Sequence, residues 1–495
     1  MADHFDKIQK LGDPVAGCPN FRRIPGYKVY CCGQPTATGF KNTLEAVCGK
    51  IYPKDGKIIW LNMRQEPNVY VNGDPICARP PGKIGEYAEL GNVTAAALDT
   101  DEPEFQRVVE GRCKENEGKL KYVDISKKEL SVEVKELKTL GEVVEGLKAD
   151  FPGLVHVRVP VCNSAAPGVA DFDTICEALL GSGINTPVVI NDQVGLSRAT
   201  TACVVACLFK EFQITSSFEG LVETVPGMNL DLLKMDTYKM DMSKDMLFRG
   251  EFPVVQRLIA KMDGGAAAKN VCDKVIDKNG TPKTGGTGIK QTRENIAESK
   301  LSFEIMDDAA QVFLKSKIMD NIQKYCYLII YSGYMREAGL AARTACDDAA
   351  KGTVTLSSGK CSIPAEQLKL PKTFVQFMEE NPALREITEA GKGDLQWERD
   401  IPPAALANLE TLATKDFKGN LGTIIHDIYQ TAHVMFSDMP QGDHKKRAKY
   451  RFASKTLMKL LPADLSSQVA GLIEKKTISL DLYDILGQCT WGQKA

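Results

Sequence analysis

The chain has 495 residues, 43% hydrophobic and 25% charged, which is enough for two or three globular domains with sizeable cores. Sixty-two basic against 64 acidic residues leave a net charge near −2, so no global basic field points to nucleic acid or to an anionic membrane surface. The start, MADHFDKIQK, has no apolar signal core, and no run of ~18 apolar residues occurs, so a cytoplasmic protein without a membrane span is expected. The 15 cysteines are odd in number and scattered, with no CxxC pair, which suits reduced thiols. Cys203 and Cys207 share a helix face and read as packing residues, and no metal or cofactor is expected.

From the N-terminus, FRRIPGYKVYCCGQPTATGFKNTLEAVCGK at 21–50 predicts an extended segment, a turn at Gly33–Thr36 and an amphipathic helix from Ala37. KIIWLNM at 57–63 predicts a buried strand. It runs into Arg64-Gln65-Glu66-Pro67, which places Arg64 and Glu66 at the carboxyl edge of a sheet, where ligand sites of open α/β folds collect. An exposed loop with an ion pair is the alternative for these two. Phe105–Glu115 is amphipathic, Leu120–Val123 is a short strand and Val132–Leu147 is a charged helical stretch. Val155–Val161 is a further strand, and Asp171–Leu180 a helix.

The stretch PVVINDQVGLSRATTACVVACLFKEF at 187–212 then reads as strand, tight loop and helix. Such a loop offers unpaired N–H groups and the positive end of a helix dipole to an anion. Arg198 lies six residues after Asp192, the Cys-x5-Arg spacing of cysteine-dependent phosphatase loops, with Asp192 where the nucleophilic thiolate would be. A carboxylate there is a poor nucleophile toward phosphorus and repels a dianion.

Beyond the loop, a linker rich in Met, Asp and Lys covers 228–246. Amphipathic helices follow near Phe252–Met262 and Ser302–Glu337, with a glycine- and threonine-rich loop at 278–292. From about 370 the pattern is helical again: Thr373–Ala390 with a break at Pro382, then Pro403–Thr414, Leu421–Met435, Lys446–Leu461 and Ser466–Lys475. HKKRAKYR at 444–451 is the strongest basic cluster, a solvated face or a patch for an acidic partner. His426 and His433 lack a third metal ligand nearby.

GQPT at 33–36, NMRQEP at 62–67, VRVPVCNSAAPGVADFD at 157–173 and the strand-loop-helix at 187–212, in this order, resemble the paladin and cysteine-phytase-like phosphatase family. RGEFPVVQRLI at 249–259 and KYCYLIIYSGYM at 324–335 extend the likeness to roughly residues 20–380. The resemblance implies a protein-tyrosine-phosphatase-like α/β fold, with a mostly parallel central sheet and flanking helices, followed by an α-helical half. The implied domains are 1–245, a phosphatase-like α/β domain, then helical regions at 246–368 and 369–495. The family's nucleophile falls on Asp192, its oxygen-binding arginine on Arg198, the following threonine on Thr200 and its general acid on Asn163. An amide cannot deliver a proton to a leaving alkoxide, so two catalytic positions are replaced together.

Catalytic residues are therefore expected to be vestigial: Asp192, Arg198 and Asn163. The anion-binding candidates are Gln193, Val194, Gly195, Leu196, Ser197, Arg198, Thr200, Arg64 and Arg158, with Asp192 and Arg198 expected to form an internal ion pair that fills the loop. Three readings remain open. A pseudophosphatase scaffold for a protein partner is favoured, in a setting such as a cytoskeletal or ciliary assembly. A non-catalytic sensor of inositol phosphates or phosphoproteins comes second, and a residual phosphatase third.

Overall fold

The structure is a computed structural model that describes residues 15–49, 52–78, 94–123, 128–162, 166–213, 244–280, 291–303, 308–346, 354–355, 361–362, 370–390, 403–415 and 417–437, with a few positions between 449 and 460. Asn163, most of the 228–246 linker, most of 278–292, nearly all of the basic cluster at 444–451 and the helix expected at 466–475 lie outside the described residues. The chain divides into two compact units. One comprises 1–237, 243–297 and 317–395, the other 238–242, 298–316 and 396–495.

The first unit is built on a five-stranded sheet. In chain order its strands and first helices are β1 (Arg22–Arg23), β2 (Val29–Cys32), α1 (Ala37–Cys48) and β3 (Ile58–Arg64). A hairpin, β4 (Asn68–Val71) and β5 (Asp74–Cys77), comes next, then α2 (Ala95–Glu115), β6 (Lys119–Val123), β7 (Glu129–Glu133), β8 (Leu137–Thr139) and α3 (Leu140–Leu147). β9 (Leu154–Val161), α4 (Val169–Leu179), β10 (Val188–Asn191) and α5 (Arg198–Phe212) complete the α/β part. The sheet order is β1-β2-β10-β3-β9, with β2, β10, β3 and β9 mutually parallel and β1 antiparallel to β2.

β10 sits between β2 and β3, with Asn191 in register with Cys32 and Asn62. Its Val188, Val189 and Ile190 are fully buried, as expected for an apolar run in a parallel sheet covered on both faces. On one face, α1 and α3 cover Trp60 and Val189 through Phe40, Leu44, Val143 and Leu147. On the other lies α5, buried on every side except at Glu211. A helix apolar all round requires cover beyond the sheet, and α4 and α8 (Gly265–Asn279) supply it.

The stretch 132–147, expected as one helix, is instead β7, β8 and α3. Leu130, Val132 and Val134 alternate with exposed residues, a period of two rather than 3.6, and Val132 and Val134 join Phe105, Tyr122 and Leu137 against a core of Val69, Val71, Ile76, Val109 and Leu120. The helix starts only where Thr139 and Glu142 form a capping box.

After the α/β part the described elements are helical apart from one short hairpin. They are α6 (Lys244–Phe248), α7 (Pro253–Lys261), α8, α9 (Thr292–Phe303), the 39-residue α10 (Asp308–Cys346), α11 (Phe374–Glu380) and α12 (Pro382–Ala390). The break at Pro382 separates the last two. Within the first unit, α10 docks on α4 through aromatic rings: Phe172 meets Tyr327, Tyr331 and Phe374 at centroid separations of 5.0–6.2 Å. Asp173 accepts hydrogen bonds from the N–H groups of Phe374 (2.6 Å) and Val375 (2.9 Å), which caps α11 from α4. The second unit contains α13 (Pro403–Lys415) packed on α14 (Phe417–Met435). Among the described residues no helix is long and apolar enough to cross a membrane, and no cluster of three or more His, Cys, Asp or Glu could hold a metal.

Candidate functional site

The loop 192–197 leaves the carboxyl end of the central strand and enters α5. Asp192 is buried beneath it, and the loop N–H groups converge on its carboxylate. Oδ1 accepts from Val194 (2.9 Å) and from Gly195, and Oδ2 accepts from Ser197 (3.2 Å) and Ala199 (2.9 Å). Ser197, the residue preceding α5, makes no side-chain cap. Asp192 performs that task from the other end of the loop and places its charge at the helix N-terminus, where the dipole adds up to ~2 kcal/mol in a buried setting. The N–H groups that would hold an oxyanion already hold a carboxylate.

The loop's shape is set from outside. Gly195 has φ +79° and lies so close to Cys32 and Gly33 that a Cβ would come within 2.5 Å of the Cys32 carbonyl carbon. Arg22 donates to the Gly195 carbonyl (2.7 Å) and to Thr200 Oγ1 (2.9 Å), and Asn20 Nδ2 donates to the Val194 carbonyl (2.8 Å). Gln34 N–H donates to the Gln193 carbonyl (2.9 Å). At the strand ends Asn191 Oδ1 accepts from Trp60 Nε1 at 2.8 Å, and its amide reaches Gln34 (3.3 Å) and Asn62 (3.4 Å).

Arg198, the first residue of α5, does not pair with Asp192 as expected. Its Nη1 lies 3.0 and 3.2 Å from the two oxygens of Glu66 and 2.8 Å from the Val161 carbonyl, and Nη2 is 3.3 Å from Glu66. The carboxylate of Asp192 is saturated by four backbone donors, whereas Glu66, at the end of β3, offers two oxygens to the planar guanidinium fork. Arg64 Nε joins the same carboxylate at 3.1 Å. Burial alone would raise the Glu66 carboxyl, but the charges of Arg64 and Arg198 and their hydrogen bonds pull it down to about 2.

Arg64 and Glu66 do stand at the sheet's carboxyl edge, and both are buried, which removes the alternative of an exposed ion pair. Arg158, expected among the anion-binding arginines, is committed elsewhere. It pairs with Glu102 of α2 at 2.5 Å and donates to the backbone carbonyls of Glu66 (3.0 Å) and Arg64 (3.4 Å). Thr200 faces Arg22 beneath the loop rather than the cradle. Leu196 is half-buried and Ser197 exposed at the rim. Cys162, half-buried, follows Val161 at the end of β9.

Three residues absent from the sequence-based expectations complete the site: Arg22, Glu102 and Lys324. Lys324 of α10 is buried, and the charges of Asp320, Arg198, Asp192 and Cys162 act on its amine. Burial holds its pKa below the usual lysine value, with Arg198 adding to the depression. A lone lysine opening the otherwise apolar KYCYLIIY run was the available signal.

A parallel sheet whose central strand feeds an N–H cradle, an arginine at the head of the next helix and a carboxylate bracing that arginine together define a phosphatase-like α/β domain. A family model for PTP-like phytases, described by inositol hexakisphosphate, matches residues 61–210. The chain is 23% identical to paladin of Gallus gallus and 25% to paladin of Homo sapiens, over 320 residues in each case and 64% of its own length. It spans about a third of those paladins, 34% and 33% of their lengths. Among solved structures it is similar to a PTP-like phytase from Bdellovibrio bacteriovorus (TM-score 0.35, 10% identity, covering 65% of this chain and 84% of that one). It is also similar to a PTP-like myo-inositol phosphatase from Mitsuokella multacida, in complex with myo-inositol-(1,3,4,5)-tetrakisphosphate (0.32, 18%, 41% and 32%). Over residues 61–210 the chain thus matches the PTP-like phytase family, and over 64% of its length it is similar to the paladins.

Proposed function

We propose that this protein is a pseudophosphatase that acts as a binding scaffold for another protein. One observation carries the reading: both oxygens of Asp192 are held by the N–H groups of Val194, Gly195, Ser197 and Ala199. A phosphoryl group would have to displace a carboxylate that belongs to the chain itself and meet its charge at close range. A carboxylate so bound is also poorly nucleophilic, since its lone pairs are engaged. The amide of Asn163 at the family's general-acid position agrees with this reading.

A sensor of inositol phosphates is the second reading, favoured by the retained arginine Arg198 at the head of α5. Without the cradle, that arginine must hold a polyanion with its guanidinium already on Glu66.

The test is phosphate release from inositol hexakisphosphate and from p-nitrophenyl phosphate by the purified chain. No release is expected from either substrate. Turnover that disappears in an Arg198→Ala variant would overturn the proposal. Calorimetric titration with inositol hexakisphosphate separates the two binding readings, because saturable heat lost with Arg198 is the sensor's signature.

A further inference from the structure

Lys210, in the last turn of α5, is 1% exposed, and burial lowers its pKa to about 8, which leaves it an ammonium at neutral pH. All of its acceptors are backbone. Nζ donates to the carbonyls of Gly183 (3.2 Å), Ile184 (3.1 Å) and Thr186 (3.1 Å), so the three N–H groups of the ammonium meet three oxygens. Gln213, the residue after the helix, donates from Nε2 to a fourth carbonyl, that of Ser182, at 2.6 Å. These four belong to one turn, 182–186, between α4 and β10. Thr186 closes it, accepting at Oγ1 from the Gly183 N–H (3.1 Å) and donating its own N–H to the Gly183 carbonyl (3.0 Å). The next residues enter the sheet, where the Pro187 carbonyl accepts from Ile59 (3.0 Å) and the Val188 N–H donates to Lys28 (2.9 Å). Among the described residues the carbonyls of Ile184 and Thr186 have Lys210 as their only donor.

We propose that the turn 182–186 is a cradle for a monovalent cation and that the ammonium of Lys210 is its resident occupant, fastening the entry of the central strand to the end of α5. Converging carbonyl oxygens replace the hydration shell of a large, weakly hydrated cation. Ligand type separates such an ion from a divalent one. Calcium and magnesium sites rest on carboxylates at ~2.0–2.6 Å, and the oxygens gathered here are neutral and stand 3.1–3.2 Å from Nζ. The field has the matching sign, because the cradle lies against the carboxyl end of α5, where the helix dipole is negative. α5 thus holds an ion of the chain's own at each end, the carboxylate of Asp192 among N–H groups at its head and the ammonium of Lys210 among carbonyls at its tail. Lys210 is therefore a positioning residue. Without its side chain the carbonyls of Ile184 and Thr186 lose their donor, and the vacated place suits potassium or ammonium.

The test is thermal melting of the full chain, wild type and Lys210→Ala, in ammonium, potassium or choline chloride at an equal ionic strength of ~0.1 M. Lys210→Ala should melt about 3 °C or more higher in ammonium or potassium than in choline, with an effect that saturates as the cation is titrated. Wild type, Lys274→Ala on the exposed side of α8, and Lys210→Met, whose apolar chain refills the space, should melt alike in the three salts. If Lys210→Ala does not fold in choline, its recovery on refolding into ammonium carries the same decision. In wild type at pH 7, Lys210 should also give a slowly exchanging ammonium resonance, lost in Lys210→Arg. Equal melting of Lys210→Ala in all three salts, a cation response of the same size in wild type, no recovery in any salt, or a fast-exchanging Lys210 amine would each overturn the proposal.

Discussion

Both carboxylate oxygens of Glu66 lie within 3.2 Å of Nη1 of Arg198, across 132 residues of sequence, and Arg64 binds the same carboxylate from the end of its own strand. Glu66 is thus the buried counter-ion of two guanidiniums, and its removal should be far more damaging than the loss of a surface pair. A Glu66→Gln variant leaves both arginines under-compensated, and chemical denaturation should show a loss of about 3–5 kcal/mol.

The same residue sets a pH dependence. Its folded carboxyl titrates at about 2 against an ordinary 4.5, so the linked stability is fully present above 4.5 and is lost as pH falls toward 2. The swing is about 3 kcal/mol for such a shift. Denaturation midpoints measured between pH 5 and 2.5 should fall in the wild type, and the part due to Glu66 should be missing in Glu66→Gln.

Asp192→Ala removes the acceptor of four loop N–H groups and should lower stability by about 2–4 kcal/mol. Added phosphate or sulfate should restore part of the loss by occupying the emptied cradle, up to about 2.7 kcal/mol at a hundredfold excess over Kd. Wild type should show no such rise. Thermal melts with and without 20 mM phosphate, on the order of a hundred times a sub-millimolar Kd, make the comparison.

Gly195→Ala should not be tolerated. The position combines φ +79° with backbone of Cys32 and Gly33 inside 3 Å of any Cβ, so the loop or β2 must shift. A loss of about 2 kcal/mol or more is expected, with altered amide exchange at residues 192–199 as its local signature.

Asp173→Ala should act on a different element. Its carboxylate caps α11 from α4, and without it the N–H groups of Phe374 and Val375 lose their acceptor. About 1 kcal/mol of stability should go, with faster proteolysis near 370–390 and an unchanged anion response at the loop.

The central strand, the loop and the first turn of α5 were legible because they are local: an apolar β-branched run, a glycine loop and a helical repeat lie within 26 residues. The break at Pro382 and the helix from Ala37 were legible for the same reason. The β4–β5 hairpin is also written locally, in Asn72-Gly73, both at positive φ as a two-residue turn requires. What sequence could not supply was pairing across distance. The spacing of Asp192 and Arg198 suggested that they neutralise one another, but Arg198 has its partner just past β3 and Asp192 has its partners in the backbone. Glu102 and Arg158 meet from separate elements, and Lys324, which feels the charges of Arg198 and Asp192, lies on a helix more than a hundred residues downstream. Charges that read as solvated faces in a linear pattern became buried once the topology brought their counter-ions together.

Arg22 and Asn20 grip the carbonyls of Gly195 and Val194 from below, and Gln34 grips that of Gln193. None of these contacts involves the side chain at 192. The loop carbonyls are thus held from outside, separately from the N–H groups that Asp192 holds from within. A substitution at 192 therefore leaves these three holds on the backbone in place. The residue at 192 then sets what the loop N–H groups meet, while the outside contacts set where the loop carbonyls lie.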